Sequence, residues 1–141
     1  MEDLHMFEEN NTLDLVDYFE IENRRVSYVE KIRDYLYNDI IEIDIGFEDG
    51  KVLRFYHDQD CCERVRLYDV DNDLDNLVDG IILNIYEVKN SKDHLSDVDS
   101  ESESFTWTFY RIVSDKGYFV MRWLGTSSGY YSEEVDVEYE T

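Results

Sequence analysis

Residues 12–38 read TLDLVDYFEIENRRVSYVEKIRDYLYN, and the class of the fold turns on this stretch. Leu13, Val16 and Phe19, then Val26, Val29, Ile32 and Leu36, recur at steps of three and four. That spacing lines one face of an α-helix with apolar side chains, so a helical region is expected over 12–38. Thr12 is placed to cap it, with Asp14 in its first turn. Asn23 either caps a second helix or marks a break in one long helix.

Beyond this stretch the period changes to two. In IIEIDIGF, Ile41, Ile43, Ile45 and Phe47 alternate with Glu42, Asp44 and Gly46, the pattern of a half-buried strand. Glu48-Asp49-Gly50 supplies a turn, and KVLRFYH (51–57) returns as a second strand. RVRLYDV (64–70) reads as a short strand, NDLDNLVDG (72–80) as a short helix, and IILNIYEV (81–88) as another strand. FTWTFYRIV (105–113) and YFVMRWL (118–124) are strong strands joined by Ser114-Asp115-Lys116-Gly117. After the Gly-Ser loop GTSSGYYS comes a last acidic strand, EEVDVEYE. Residues 90–104, NSKDHLSDVDSESES, are polar, acidic and Ser-rich and are expected to form a mobile loop. The expectation is a single α+β domain over 1–141, its N-terminal helix region packed on a mainly antiparallel sheet spanning 40–139.

Charge is the compositional outlier. Thirteen Lys and Arg face 35 Asp and Glu among 141 residues, a formal charge of -22. Hydrophobic residues make up 43% and aromatics 15%, with twelve Tyr, seven Phe and two Trp, so the acid decorates a core rather than forming a disordered tail. Solubility alone asks for a net charge of only about 2 to 8 in a small domain. The excess points to a basic partner. It argues against nucleic acid and anionic membrane, whose binding relies on Lys and Arg. The start, MEDLHMFEENN, has no basic and apolar leader pattern, and an intracellular location is expected.

The sharpest local feature is His57-Asp58-Gln59-Asp60-Cys61-Cys62-Glu63. Thiolate and imidazole suit a tetrahedral Zn²⁺, with His57, Cys61 and Cys62 as three ligands. Asp58, Asp60, His94 or a residue distant in sequence completes the set. A structural site is favoured over a catalytic one. The bland alternative packs one Cys as a small hydrophobe and leaves the other outside. A disulfide between neighbours is not expected, because adjacent Cα atoms sit closer than disulfide geometry prefers. Cys61, His57 and Glu63 could instead serve a small hydrolase, but the surrounding acid weakens a thiol nucleophile. DVDNDLDNLVDG (69–80) fails as an EF-hand, with Leu74 where Gly is required and Gly80 where Glu is required. Tyr130 and Tyr131, and the loop acids Asp97, Asp99, Glu101 and Glu103, are candidates for partner contact.

Three stretches carry a resemblance: FYHDQDCCERVRLYDV, SESFTWTFYRIV and YFVMRWLGTSSGYYSEEVDV, together spanning about residues 40–137. They resemble small phage and prophage proteins with a domain of unknown function and, within that group, the type II-A anti-CRISPR proteins of streptococcal phages. The resemblance implies a non-enzymatic inhibitor with a structural zinc on His57, Cys61 and Cys62. It would dock on the recognition lobe of the Cas9–guide RNA complex and block target-DNA loading. Cas9 holds its heteroduplex in a positively charged channel, which matches the acidic composition.

Overall fold

A computed structural model describes residues 12–21, 23–91 and 104–140. Its strands are β1 (Leu13–Asp14), β2 (Arg24–Arg33), β3 (Ile40–Phe47), β4 (Val52–Tyr56), β5 (Arg64–Asp71), β6 (Ile81–Ser91), β7 (Ser104–Ser114), β8 (Gly117–Ser127) and β9 (Asp136–Glu140). One helix, α1 (Leu15–Phe19), follows β1, and a 3₁₀ turn, Leu74–Leu77, stands where the short helix was expected. The described residues are 61% strand and 8% helix, with no helix of seven residues or more, so the class is mostly β and not α+β.

The correction falls on residues 12–38. Helix α1 has only five residues, and its N-cap is Asp14, not Thr12: Asp14 Oδ1 accepts the N–H of Val16 at 3.1 Å. Glu20 and Asn23 take left-handed φ values of 58° and 66°, which end the helix and turn the chain into β2. Asn23 therefore neither caps a second helix nor breaks a long one; it leads into a strand.

A bulge explains why β2 looked helical. Val26 pairs with Phe47 and Tyr28 with Gly46, so β2 spends two steps where β3 spends one. The extra residue restores Val29 to the face of Val26, opposite Ile45, at a spacing of three. Beyond the bulge ordinary alternation returns. Lys31 pairs with core Ile43, while Ile32 pairs with Glu42. The Tyr28 ring lies over Gly46, where a Cβ would stand 2.0 Å from it.

The sheet is antiparallel throughout, in the order β5-β8-β7-β6-β2-β3-β4-β9, with β1 paired to β6. The 105–124 hairpin forms as read, β7 pairing with β8 from Ser104↔Ser127 to Ser114↔Gly117. Strand β6 runs to Ser91 and β7 begins at Ser104, so the ends of the expected 90–104 loop are strand and 92–103 lie outside the described residues. The sheet folds back on itself, and the Phe55 ring of β4 meets Tyr110 of β7 at 4.8 Å. Between the two halves Ile43, Ile45, Phe55 and Phe119 are fully buried, each contributing about 1.5–3 kcal/mol over an exposed position. A smaller cluster of Val88, Trp107, Phe109 and Leu124 occupies the other face of β6–β8. Among the described residues no helix is long and apolar enough to cross a membrane.

Candidate functional site

Strand β4 ends at Tyr56, and the chain crosses to β5 through His57–Glu63 without regular structure. This crossing forms one wall of a cleft of about 550 Å³. The opposite wall is the β2–β3 turn, from Asp34 to Asp39, and the floor includes Ile41, Val65 and Arg66.

Hydrogen bonds to one carboxylate give the crossing its shape. Glu63 Oε2 accepts from His57 Nε2 at 2.7 Å and from the Asp60 N–H at 2.7 Å. Its Oε1 accepts from the Cys61 N–H at 3.0 Å. Gln59 Nε2 donates to the Glu63 carbonyl at 2.7 Å, and His57 Nδ1 donates to the Glu134 carbonyl at 2.7 Å. Burial pushes the Glu63 carboxyl up, but the His57 bond and the backbone N–H groups of Cys61 and Asp60 outweigh it and hold it at about 2. Both ring nitrogens of His57 face oxygen atoms.

The adjoining loop repeats the device. Glu133 is buried, and its carboxylate accepts from Thr106 Oγ1 at 2.7 Å and from Ser127 Oγ at 2.5 Å. Ser127 Oγ in turn accepts the Gly129 N–H at 2.9 Å. The backbone of Glu133 crosses Gly125 so closely that a Cβ there would lie 2.4 Å from its carbonyl oxygen. The strings His57–Glu63 and Arg122–Glu133 thus each end on a buried glutamate that gathers nearby donors. The contact of His57 with Glu134, and of the Asp58 N–H with Asp136 at 2.9 Å, joins the two loops.

The structure brings His57, Cys61 and Cys62 to the cleft. Cys61 and Cys62, expected as separate thiols, are joined by a disulfide. Both His57 nitrogens are engaged with oxygen atoms, of the Glu134 carbonyl and the Glu63 carboxylate. Asp60 contributes its backbone N–H to Glu63, and its residue is exposed. Among the described residues no group of three or more His, Cys, Asp or Glu is placed to hold a metal ion. His94, Asp97, Asp99, Glu101 and Glu103 lie outside the described residues.

Tyr130 is exposed and Tyr131 half-buried, their rings 6.1 Å apart in the loop after β8. The sequence reading missed a larger exposed group. Tyr35, Leu36 and Tyr37 at the β2–β3 turn are 100%, 82% and 62% exposed. Their signal was Asp34 and Asn38-Asp39 flanking three large side chains, but Leu36 had been absorbed into a helical stripe.

A curled, antiparallel, acidic sheet protein with a cleft between two loops is the class that fold and site define. The chain belongs to the family described as Domain of unknown function (DUF7448), whose model matches residues 20–137. No curated protein matches the chain, and no solved structure matches it.

Proposed function

We propose that this protein is a stoichiometric binder of a basic protein surface, and that its target is the Cas9–guide RNA complex, docked at the recognition lobe so that target DNA is not loaded. The observation that carries the reading is how the cations are placed. Arg24 pairs with Asp49, Arg25 with Glu48, Lys31 with Asp73 and Asp75, Arg54 with Glu42, Asp44 and Glu140, Arg64 with Asp39, and Lys89 with Glu134. These positive groups are consumed inside the molecule. Exposed carboxylates such as Asp17, Glu20, Glu30, Asp58, Asp60 and Asp79 are left to face outward, in a chain whose formal charge is -22.

Such a field attracts a positive surface from a distance and raises association rates toward about 10⁸ M⁻¹s⁻¹ at low salt. Carboxylates then occupy positions that phosphates would otherwise take. The Cas9 assignment draws on the sequence resemblance; the charge argument supports only the basic character of the target.

A gel-shift of Cas9–guide complex on target DNA tests the reading. Excess protein is expected to abolish the shifted band at low salt, with a one-to-one end point and weaker inhibition as salt rises. Undiminished DNA loading with the protein in excess overturns it. Zinc stands apart from this reading. Elemental analysis of protein purified without added metal tests it, and about one equivalent would mean that His57 releases one of its oxygen partners.

A further inference from the structure

We infer that the β2–β3 turn is the docking anchor of this protein: Tyr35, Leu36 and Tyr37, with the cleft beneath them, insert into an apolar hollow ringed by Arg and Lys on a partner protein. The inference rests on the proposed binding role and names the face that performs it.

A run of three exposed large side chains is unfavourable in a soluble protein unless it is used. Here the run is also held in place. The Asp34 N–H donates to the Asp39 carbonyl at 2.8 Å. Asp34 Oδ1 accepts the N–H groups of Tyr37 at 2.6 Å and Asn38 at 3.0 Å. Arg33 Nη1 donates to the Asn38 carbonyl at 2.9 Å, and Asn38 itself takes a left-handed φ of 61°. From across the cleft the Arg64 guanidinium stacks 4.4 Å from the Tyr37 ring centroid while its Nη2 binds Asp39. A turn with this many internal bonds loses little freedom when its side chains are buried by a partner, the property that makes a few aromatic residues into hot spots.

Charge complementarity identifies the occupant. Around the turn charges are paired internally: Asp39 with Arg64 and Arg66, while the buried Glu63 is enclosed by the donors of the crossing. The anchor is therefore near neutral and apolar, with the exposed acids Asp58 and Asp60 beside it and a chain of charge -22 behind it. An apolar centre with a charged rim is the usual anatomy of a protein interface, and this rim is negative. Its counterpart is an apolar pocket with a positive rim.

Two measurements test the inference. In titrations against the Cas9–guide complex, Tyr35→Ala and Leu36→Ala are each expected to weaken binding about tenfold or more, with the salt slope and thermal midpoint unchanged. Tyr18→Ala, at an exposed position on α1, is expected to bind like wild type. Wild-type affinity in both anchor variants overturns the anchor and leaves the binding role standing. Absence of wild-type binding overturns the Cas9 assignment instead. The anchor is then decided by nuclear magnetic resonance shift mapping with a short peptide alternating Arg and Leu. Shifts centred on residues 34–39 and 61–66, and lost when Ser replaces Leu, support it. Shifts spread over the acidic surface, or equal for the two peptides, overturn it, as does a concentration-dependent dimer that Leu36→Ala abolishes.

Discussion

His57 donates from Nε2 to Oε2 of Glu63 at 2.7 Å, and the two side chains are 4% and 0% exposed. A buried pair of this kind matters less for its net attraction than for what is left when one member is removed. Glu63 also receives the Asp60 and Cys61 N–H groups, so its loss leaves backbone donors without their acceptor.

Glu63→Ala and His57→Ala are each expected to destabilise the protein by about 3–5 kcal/mol, the typical cost of breaking a buried pair from one side. Urea denaturation followed by Trp fluorescence measures it. A change in either variant no larger than that of an exposed substitution, about 0.5 kcal/mol, would show that the crossing is not built on this carboxylate.

The same carboxylate sets an acid limit. Its value is lowered from 4.5 to about 2 in the folded protein. A depressed carboxyl contributes stability that is complete above its unfolded value and is lost as pH falls through the folded one. Wild type is thus expected to lose stability between about pH 4.5 and pH 2 more steeply than Glu63→Gln. Thermal melts over that range would show parallel profiles if Glu63 were not responsible.

Glu42 acts with the opposite sign. Burial, then the hydrogen bond and charge of Asp44, push it up from 4.5 to about 7, against the lowering effect of Arg54. A raised carboxyl weakens the fold as pH climbs from the unfolded to the folded value. Glu42→Gln is expected to gain about 1 kcal/mol over wild type above pH 7, after allowance for solvent screening, and nothing below pH 4.5. Denaturation at the two extremes checks the difference.

Gly125→Ala is expected to cost about 1–3 kcal/mol, because a Cβ would meet backbone, which cannot rotate away. Ala at Gly129, where φ is 95°, meets no atom and carries only a backbone penalty of about 1–2 kcal/mol. Denaturation midpoints are expected to rank Gly125→Ala as the more severe; the reverse order would place Glu133 away from β8.

The strands read from alternation hold because alternation is a local property. Ile43, Ile45 and Phe47 are core residues, and Ser114–Gly117 closes the β7–β8 hairpin. Val26 and Val29 misled because a bulge gave a strand the spacing of a helix, and a bulge is defined only against its partner strand. The cleft was half legible. His57–Glu63 stood out as chemistry, but its role as a ring of donors around Glu63 needs Glu134, which lies far along the chain. The β2–β3 turn was hidden by the same error as β2, since Leu36 looked like the next step of a helix.

The sequence by itself determined the excess of acid, the aromatic core and the strands whose side chains alternate, because composition and period belong to the chain. Tertiary structure alone decided that residues 24–33 are a strand, that His57 meets Glu63 and the Glu134 carbonyl, and that Tyr35, Leu36 and Tyr37 stand in solvent. Each of these depends on how the chain is arranged in three dimensions, which neither propensity nor spacing specifies.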